Sequence, residues 1–228
     1  MKSPILACII VTLSLTTTSL LSAPREDILS AASKLGEAGG YSWKATREGS
    51  RFWTGVAEGK VRKDGAALVT NPGRESTTYQ TAFQGDKSAA QTENGWQSLS
   101  ELEEAEGFGR FLAFGLRRFQ PPAKEIENWI KNADSLEMAD GVYAGKLKAD
   151  SAKEMLRFGQ TEVKDPSGSF KIKIKDGLIA EYELVLKGGM TFNDNDVAIN
   201  RTTKVEISNV GNTSFEFPED ARKKLGGS

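Results

Sequence analysis

The chain contains no histidine and only one cysteine, Cys8, in its 228 residues. Without histidine it lacks the commonest general base and a leading zinc ligand. With Cys8 in the first ten residues, the rest of the chain has no disulfide, and neither a Ser-His nor a Cys-His nucleophile can form. No phosphate-binding loop and no glycine-rich dinucleotide fingerprint occurs. Charge of one sign is also lacking: 30 lysines and arginines face 31 aspartates and glutamates, so the basic field of a nucleic-acid binder is missing. The one sustained apolar run, Ile5 to Leu15, is too short to span a bilayer. These absences argue against an enzyme, a cofactor, a resident metal, a nucleic-acid partner and an integral membrane protein. What is present, 38% hydrophobic and 27% charged residues, suits a folded domain with a real core.

Lys2 is the only charge before Arg25, and the apolar run is followed by Thr16–Ser19 and Leu20-Leu21-Ser22-Ala23. A positive start, a short apolar stretch and small residues describe a secretory signal peptide. Residues 1–23 are read as that signal, with cleavage after Ser22 or Ala23, and residues 24–228 as one domain. Ile5-Leu6-Ala7-Cys8 loosely resembles a lipobox, but lipidation at Cys8 would leave most of the apolar run on the mature protein. A mature protein without a lipid anchor is expected.

Along the mature chain, Ile28, Ala31, Ala32, Leu35 and Ala38 have helical spacing, with Asp27 as the expected N-cap. Tyr41, Trp43 and Ala45 then alternate with polar residues, as in a half-buried strand. Asp64-Gly65, Gly85-Asp86 and Asn94-Gly95 divide residues 52–99 into short antiparallel strands. Ser100 and Glu103 suggest a capping box opening a helix through Phe108, Phe111, Leu112, Leu116 and Phe119. Pro121-Pro122 separates it from a second helix carrying Ile126, Trp129 and Ile130. A strand over Val142–Leu147 and a short helix capped by Asp150 follow.

The last third is again β. Phe170, Ile172 and Ile174 alternate with Lys171, Lys173 and Lys175, and Asp176-Gly177 turns the chain. A three-residue loop is expected here, pairing Ile174 with Leu178, Ile172 with Ala180 and Phe170 with Tyr182. A strand through Val197, Ile199, Thr203, Val205 and Ile207 and a helical turn over Pro218–Leu225 complete the chain. The pattern is that of an α+β domain of about ten or eleven antiparallel strands.

This order of elements, with Tyr41-Ser42-Trp43, Asp140-Gly141-Val142-Tyr143-Ala144-Gly145-Lys146-Leu147, Lys175-Asp176-Gly177-Leu178-Ile179 and Phe217-Pro218-Glu219-Asp220-Ala221, resembles the LolA-like superfamily of bacterial exported proteins. That superfamily includes periplasmic lipoprotein carriers and mycobacterial lipid-binding lipoproteins. Closer still, the chain resembles a family of uncharacterised exported bacterial proteins with the same C-terminal pattern. The resemblance covers most of the mature chain. It implies a strongly curved antiparallel sheet, an incomplete barrel closed by helices on its concave side. It also implies a periplasmic or secreted location and, in some members, acyl chains held in the cavity. No residue matches a carrier's functional positions, so the resemblance supports the fold more than the function.

The most suggestive residues are aromatic. Trp43, Tyr79, Phe83, Trp96, Phe108, Phe111, Leu112, Phe119, Trp129, Ile172 and Tyr182 are the candidate lining of an apolar cavity. The same residues would equally form a packed core. Gly107, Gly109 and Gly115 fall within the first central helix, as in a loosely held lid or a closely packed one. Glu101, Glu103, Glu104 and Glu106 suit the first turns of a helix. Asn193–Asp196 reads as a solvated loop rather than a calcium site, and the three lysines as a solvated outer face. Two functions remain open: a monomeric exported carrier of a lipid or acylated protein, and a non-catalytic envelope protein whose own side chains fill its core.

Overall fold

A computed structural model describes residues 22–49, 54–73, 77–157, 159, 161–192 and 195–227. Residues 1–21, most of the segment read as a signal, and with them Cys8, lie outside the described residues. Helix α1 (Ser22–Glu37) leads into six strands: β1 (Gly40–Glu48), β2 (Gly55–Arg62), β3 (Ala67–Pro72), β4 (Thr78–Gln84), β5 (Lys87–Thr92) and β6 (Gly95–Ser98). Helices α2 (Leu99–Glu104), α3 (Phe108–Arg118) and α4 (Pro122–Lys131) follow. Next come β7 (Ala133–Ala139), β8 (Val142–Leu147), α5 (Ala149–Leu156), β9 (Val163–Lys175), β10 (Leu178–Phe192), β11 (Asn195–Ser208) and α6 (Glu219–Lys224).

All eleven strands form one antiparallel sheet in the order β6-β5-β4-β3-β2-β1-β11-β10-β9-β8-β7. The sheet is not closed into a barrel, and the fold is α+β. Period-two patterning sorts its side chains. Trp43, Ala45, Val61, Val69, Phe170, Ile172, Tyr182, Leu184 and Val205 share one buried cluster with Ile28 and Leu35 of α1, Ile126, Trp129 and Ile130 of α4, and Leu156 of α5. At the β4–β5 end, Ala90, Tyr79 and Phe83 pack against Leu102 of α2 and Leu112, Ala113 and Leu116 of α3. On the opposite face at that end, Ala66, Ala82, Ala89 and Trp96 lie under Phe217, Ala221 and Leu225.

Several local expectations shift. Helix α1 starts at Ser22, so Asp27 is no cap; its Oδ2 accepts from the Tyr143 hydroxyl at 3.1 Å. The capping box belongs to Ser98 and Glu101, two residues earlier than read from sequence. Ser98 N–H donates to Glu101 Oε2 at 2.7 Å, and Lys224 of α6 binds the same carboxylate. Together they hold the Glu101 carboxyl down to about 2, with the lysine bond the larger cause. The single central helix is two, α2 and α3, because Gly107 turns the chain at φ 61. Asp150 sits in the first turn of α5, whose N-cap is Lys148. Strand β7 had no signal in the sequence reading.

The β9–β10 hairpin also differs. Asp176 and Gly177 have φ of 54 and 74, the two successive left-handed residues of a two-residue turn. Lys175 therefore pairs with Leu178 and Ile174 with Ile179, and an irregularity between Ile179 and Glu181 restores the face parity. Ile172 then pairs with Tyr182 and Phe170 with Leu184. Lys171, Lys173 and Lys175 are exposed, as expected, and Lys173 pairs with Glu181.

Candidate ligand-binding site

The helix-covered face carries a chain of aromatic rings. Trp43 lies opposite Gly59 across β1 and β2. A Cβ at position 59 would sit 2.0 Å from Trp43 Cζ2, so only glycine lets the indole lie flat on β2. Phe119 follows α3 in extended backbone, φ −62 and ψ 133, since the prolines at 121 and 122 end the helical course. Its ring stacks on Phe83 with centroids 3.9 Å apart and lies 6.3 Å from Trp43. Tyr79 meets Phe108 edge-on at 6.0 Å, and Phe108 stacks on Phe111 at 5.8 Å. Under α4, Trp129 contacts Tyr182 at 5.2 Å and Phe170 at 6.2 Å.

Ten of the eleven candidate residues thus belong to the helix-covered side, though not to one empty space. Trp43, Phe83 and Phe119 fill the gap beside one another, Ile172 is fully buried, Leu112 is packed under α3, and Phe108 is 45% exposed. Trp96 is the exception. It pairs with Gln91, on the parity of Ala89, and packs under α6 on the opposite face. Four-residue β6 is too short for alternation to fix its direction in sequence.

A polar group set lies at the same layer, and the sequence reading missed it. Pro121, the N-cap of α4, supplies no side-chain acceptor; instead the buried Tyr41 hydroxyl accepts the Ala123 N–H at 3.1 Å. One turn on, the Tyr182 hydroxyl donates to Glu125 Oε2 at 2.8 Å. Burial pushes the Glu125 carboxyl above its ordinary 4.5, opposed by Tyr182, Arg47 and Arg201. Burial raises Tyr182 well above its usual value, with Glu125 adding to it. Arg201 is held below its ordinary value by burial and by neighbouring Arg47, while Glu125 acts the other way. Arg118, at the end of α3, donates to the carbonyls of Arg157, at 2.9 Å, and Glu154 at the end of α5. The signal was available in the alternation: Tyr41, Trp43, Ala45 and Arg47 share one parity, as do Arg201, Thr203 and Val205.

The other candidates have structural roles. Glu103 binds Arg117, and Asp196 accepts from Thr191 and pairs with Lys164. Among the described residues no cluster of acidic residues or cysteine is arranged to hold a metal, and no helix is long and apolar enough to cross a membrane. Two pockets lie at the borders of the aromatic layer, one touching Phe170 and the other Tyr41. One is an open groove of about 400 Å³ edged by Glu137, Lys146, Lys171 and Glu183; the other, about 130 Å³, lies between Gly36, Val61 and Lys124.

No protein-family model and no curated protein matches the sequence. Solved structures do resemble its fold. The Mycobacterium tuberculosis lipoprotein LppX is 14% identical, with 85% of this chain and 98% of that chain covered at a TM-score of 0.48. LprF from Mycobacterium bovis is 9% identical, with 88% and 98% covered at 0.46. The LolA superfamily protein NE2245 from Nitrosomonas europaea is 10% identical, with 86% and 96% covered at 0.35. What this chain does must be argued from its own residues.

Proposed function

We propose that the protein is an exported, non-catalytic binding protein that takes an apolar ligand, a lipid or an acylated protein, between α3–α4 and the sheet. The observation that carries this reading is the place of Phe119. Its ring is stacked against Phe83 and lies beside Trp43, on the short extended link between two helices. A side chain on such a link is a removable plug: when α3 swings from Gly107, the ring leaves an apolar slot whose walls remain. The slot so formed would be concave and largely preformed, as small-ligand sites are. The N-terminal signal pattern supports export.

The packing favours a second reading as well. The rings fill the layer against one another, as in an envelope protein whose core serves only stability. The two readings separate on one experiment. Native protein is purified from the exported fraction, extracted with organic solvent and analysed by mass spectrometry. The apo protein is then titrated with a fluorescent fatty acid. The carrier reading expects one lipid in near-stoichiometric amount, and tighter probe binding in Phe119→Ala, where the plug is gone. No recovered lipid, with no probe bound by either protein, establishes the self-filled core.

A further inference from the structure

The two buried-face arginines are not placed like structural ones. Arg47 pairs with Thr203 across β1 and β11, and Arg201 lies two residues along β11 on the same face. Such diagonal neighbours have Cα atoms about 7–8 Å apart, so the two guanidiniums can meet on one small group. Among the described residues no carboxylate oxygen comes within 4.0 Å of either. Arg47 makes no hydrogen bond there, and Arg201 makes one long bond, 3.4 Å, to the Met155 carbonyl. Glu125 is the acidic group that faces them from α4, and its Oε2 already accepts the Tyr182 hydroxyl. Arg118 approaches from α3 and Arg157 from α5, and Arg157 is neutralised by Glu154 at 3.4 Å. Arg47 and Arg201, both half-buried, thus have no ion-pair partner among the described residues.

We propose that Arg47 and Arg201 bind an oxyanion, the phosphate or carboxylate head of an amphipathic lipid whose chain lies on the Trp43–Phe119–Phe83 layer. This rests on the lipid-binding reading above and deepens it by naming the headgroup. Paired guanidiniums bind such groups with two-pronged, charge-assisted bonds that an ammonium cannot reproduce. Arg118 closes the site: its two bonds to the end of α5 pin α3 over the arginines. Lifting α3 breaks those bonds and opens the layer and the charged end together.

The test uses the full mature protein, with tryptophan fluorescence as readout, and three probes: short-chain phosphatidylglycerol, the uncharged diacylglycerol of the same chains, and inorganic phosphate. The native protein is expected to prefer the anionic lipid by about ten- to hundredfold, the effect of losing a charge-assisted hydrogen-bonded pair. Arg47→Gln with Arg201→Gln should abolish that preference and leave diacylglycerol binding unchanged. Arg201→Lys should recover only part of it. Thermal unfolding checks that the variants fold, and because like charges are removed the midpoint should hold or rise. Equal binding of both lipids by the native protein, or a preference that survives the double variant, overturns the headgroup site and leaves the lipid reading standing. Binding of phosphate alone, lost in the double variant, overturns the lipid source and retains the anion. Binding of none of the three overturns both readings.

Discussion

Glu125 is the residue whose environment speaks most clearly. A carboxyl raised by burial binds its proton more tightly folded than unfolded, so the native state holds more protons over that window. Its stabilising contribution is complete below the ordinary value and is lost as pH rises through the raised one. Glu125→Gln, which keeps the hydrogen bond to Tyr182 without the charge, should raise the unfolding midpoint at pH 7 and leave it nearly unchanged at pH 4. A larger loss at pH 7 than at pH 4 would show instead that Arg47 and Arg201 stabilise the carboxylate. Tyr41 makes the complementary case. Its hydroxyl replaces the cap that Pro121 lacks, so Tyr41→Phe should cost ~1 kcal/mol in denaturant unfolding, the usual worth of a helix cap. An unchanged midpoint would mean that water caps α4 equally well.

At the scale of the element, the β9–β10 hairpin shows how parity survives a misread register. The face assignment holds for Phe170, Ile172 and the three lysines because alternation depends on each strand alone. The partner assignment fails because the irregularity at Ala180 leaves no mark in composition. Ile172→Asp buries an unpaired charge on a fully enclosed position and should cost about 3–5 kcal/mol. Lys173→Ala removes a half-exposed pair with Glu181 and should cost at most about 1 kcal/mol; equal costs in a urea titration would put the sheet inside out. Most strands, β7 excepted, and the long helices were legible because they repeat. Trp96, the split at Gly107 and the capping residues were not, because each depends on one or two residues or on a distant partner. Arg47 and Arg201 followed the inward parity in plain view, but charge on a strand is ordinarily read as solvent-facing. Trp96→Ala should therefore cost about 3–5 kcal/mol by emptying the α6 side, and leave binding of an apolar probe unaltered. Weakened probe binding in a folded Trp96→Ala protein would return Trp96 to the ligand side.

For the whole molecule, the strand order divides the chain into two runs of sequence neighbours, β1–β6 and β7–β11. Only the pairing of β1 with β11 joins them, and it matches Ser42 with Ser208, near opposite ends of the chain. Local hairpins form quickly, while a contact across most of the chain must wait for the entropy of a long loop to be overcome. The seam is thus expected to close last. Arg47 stands on one bank and Arg201 on the other, so neither run alone can present both to a ligand. A molecule bound there would act as a rivet across the final joint, slowing its parting without touching the rate at which either half assembles.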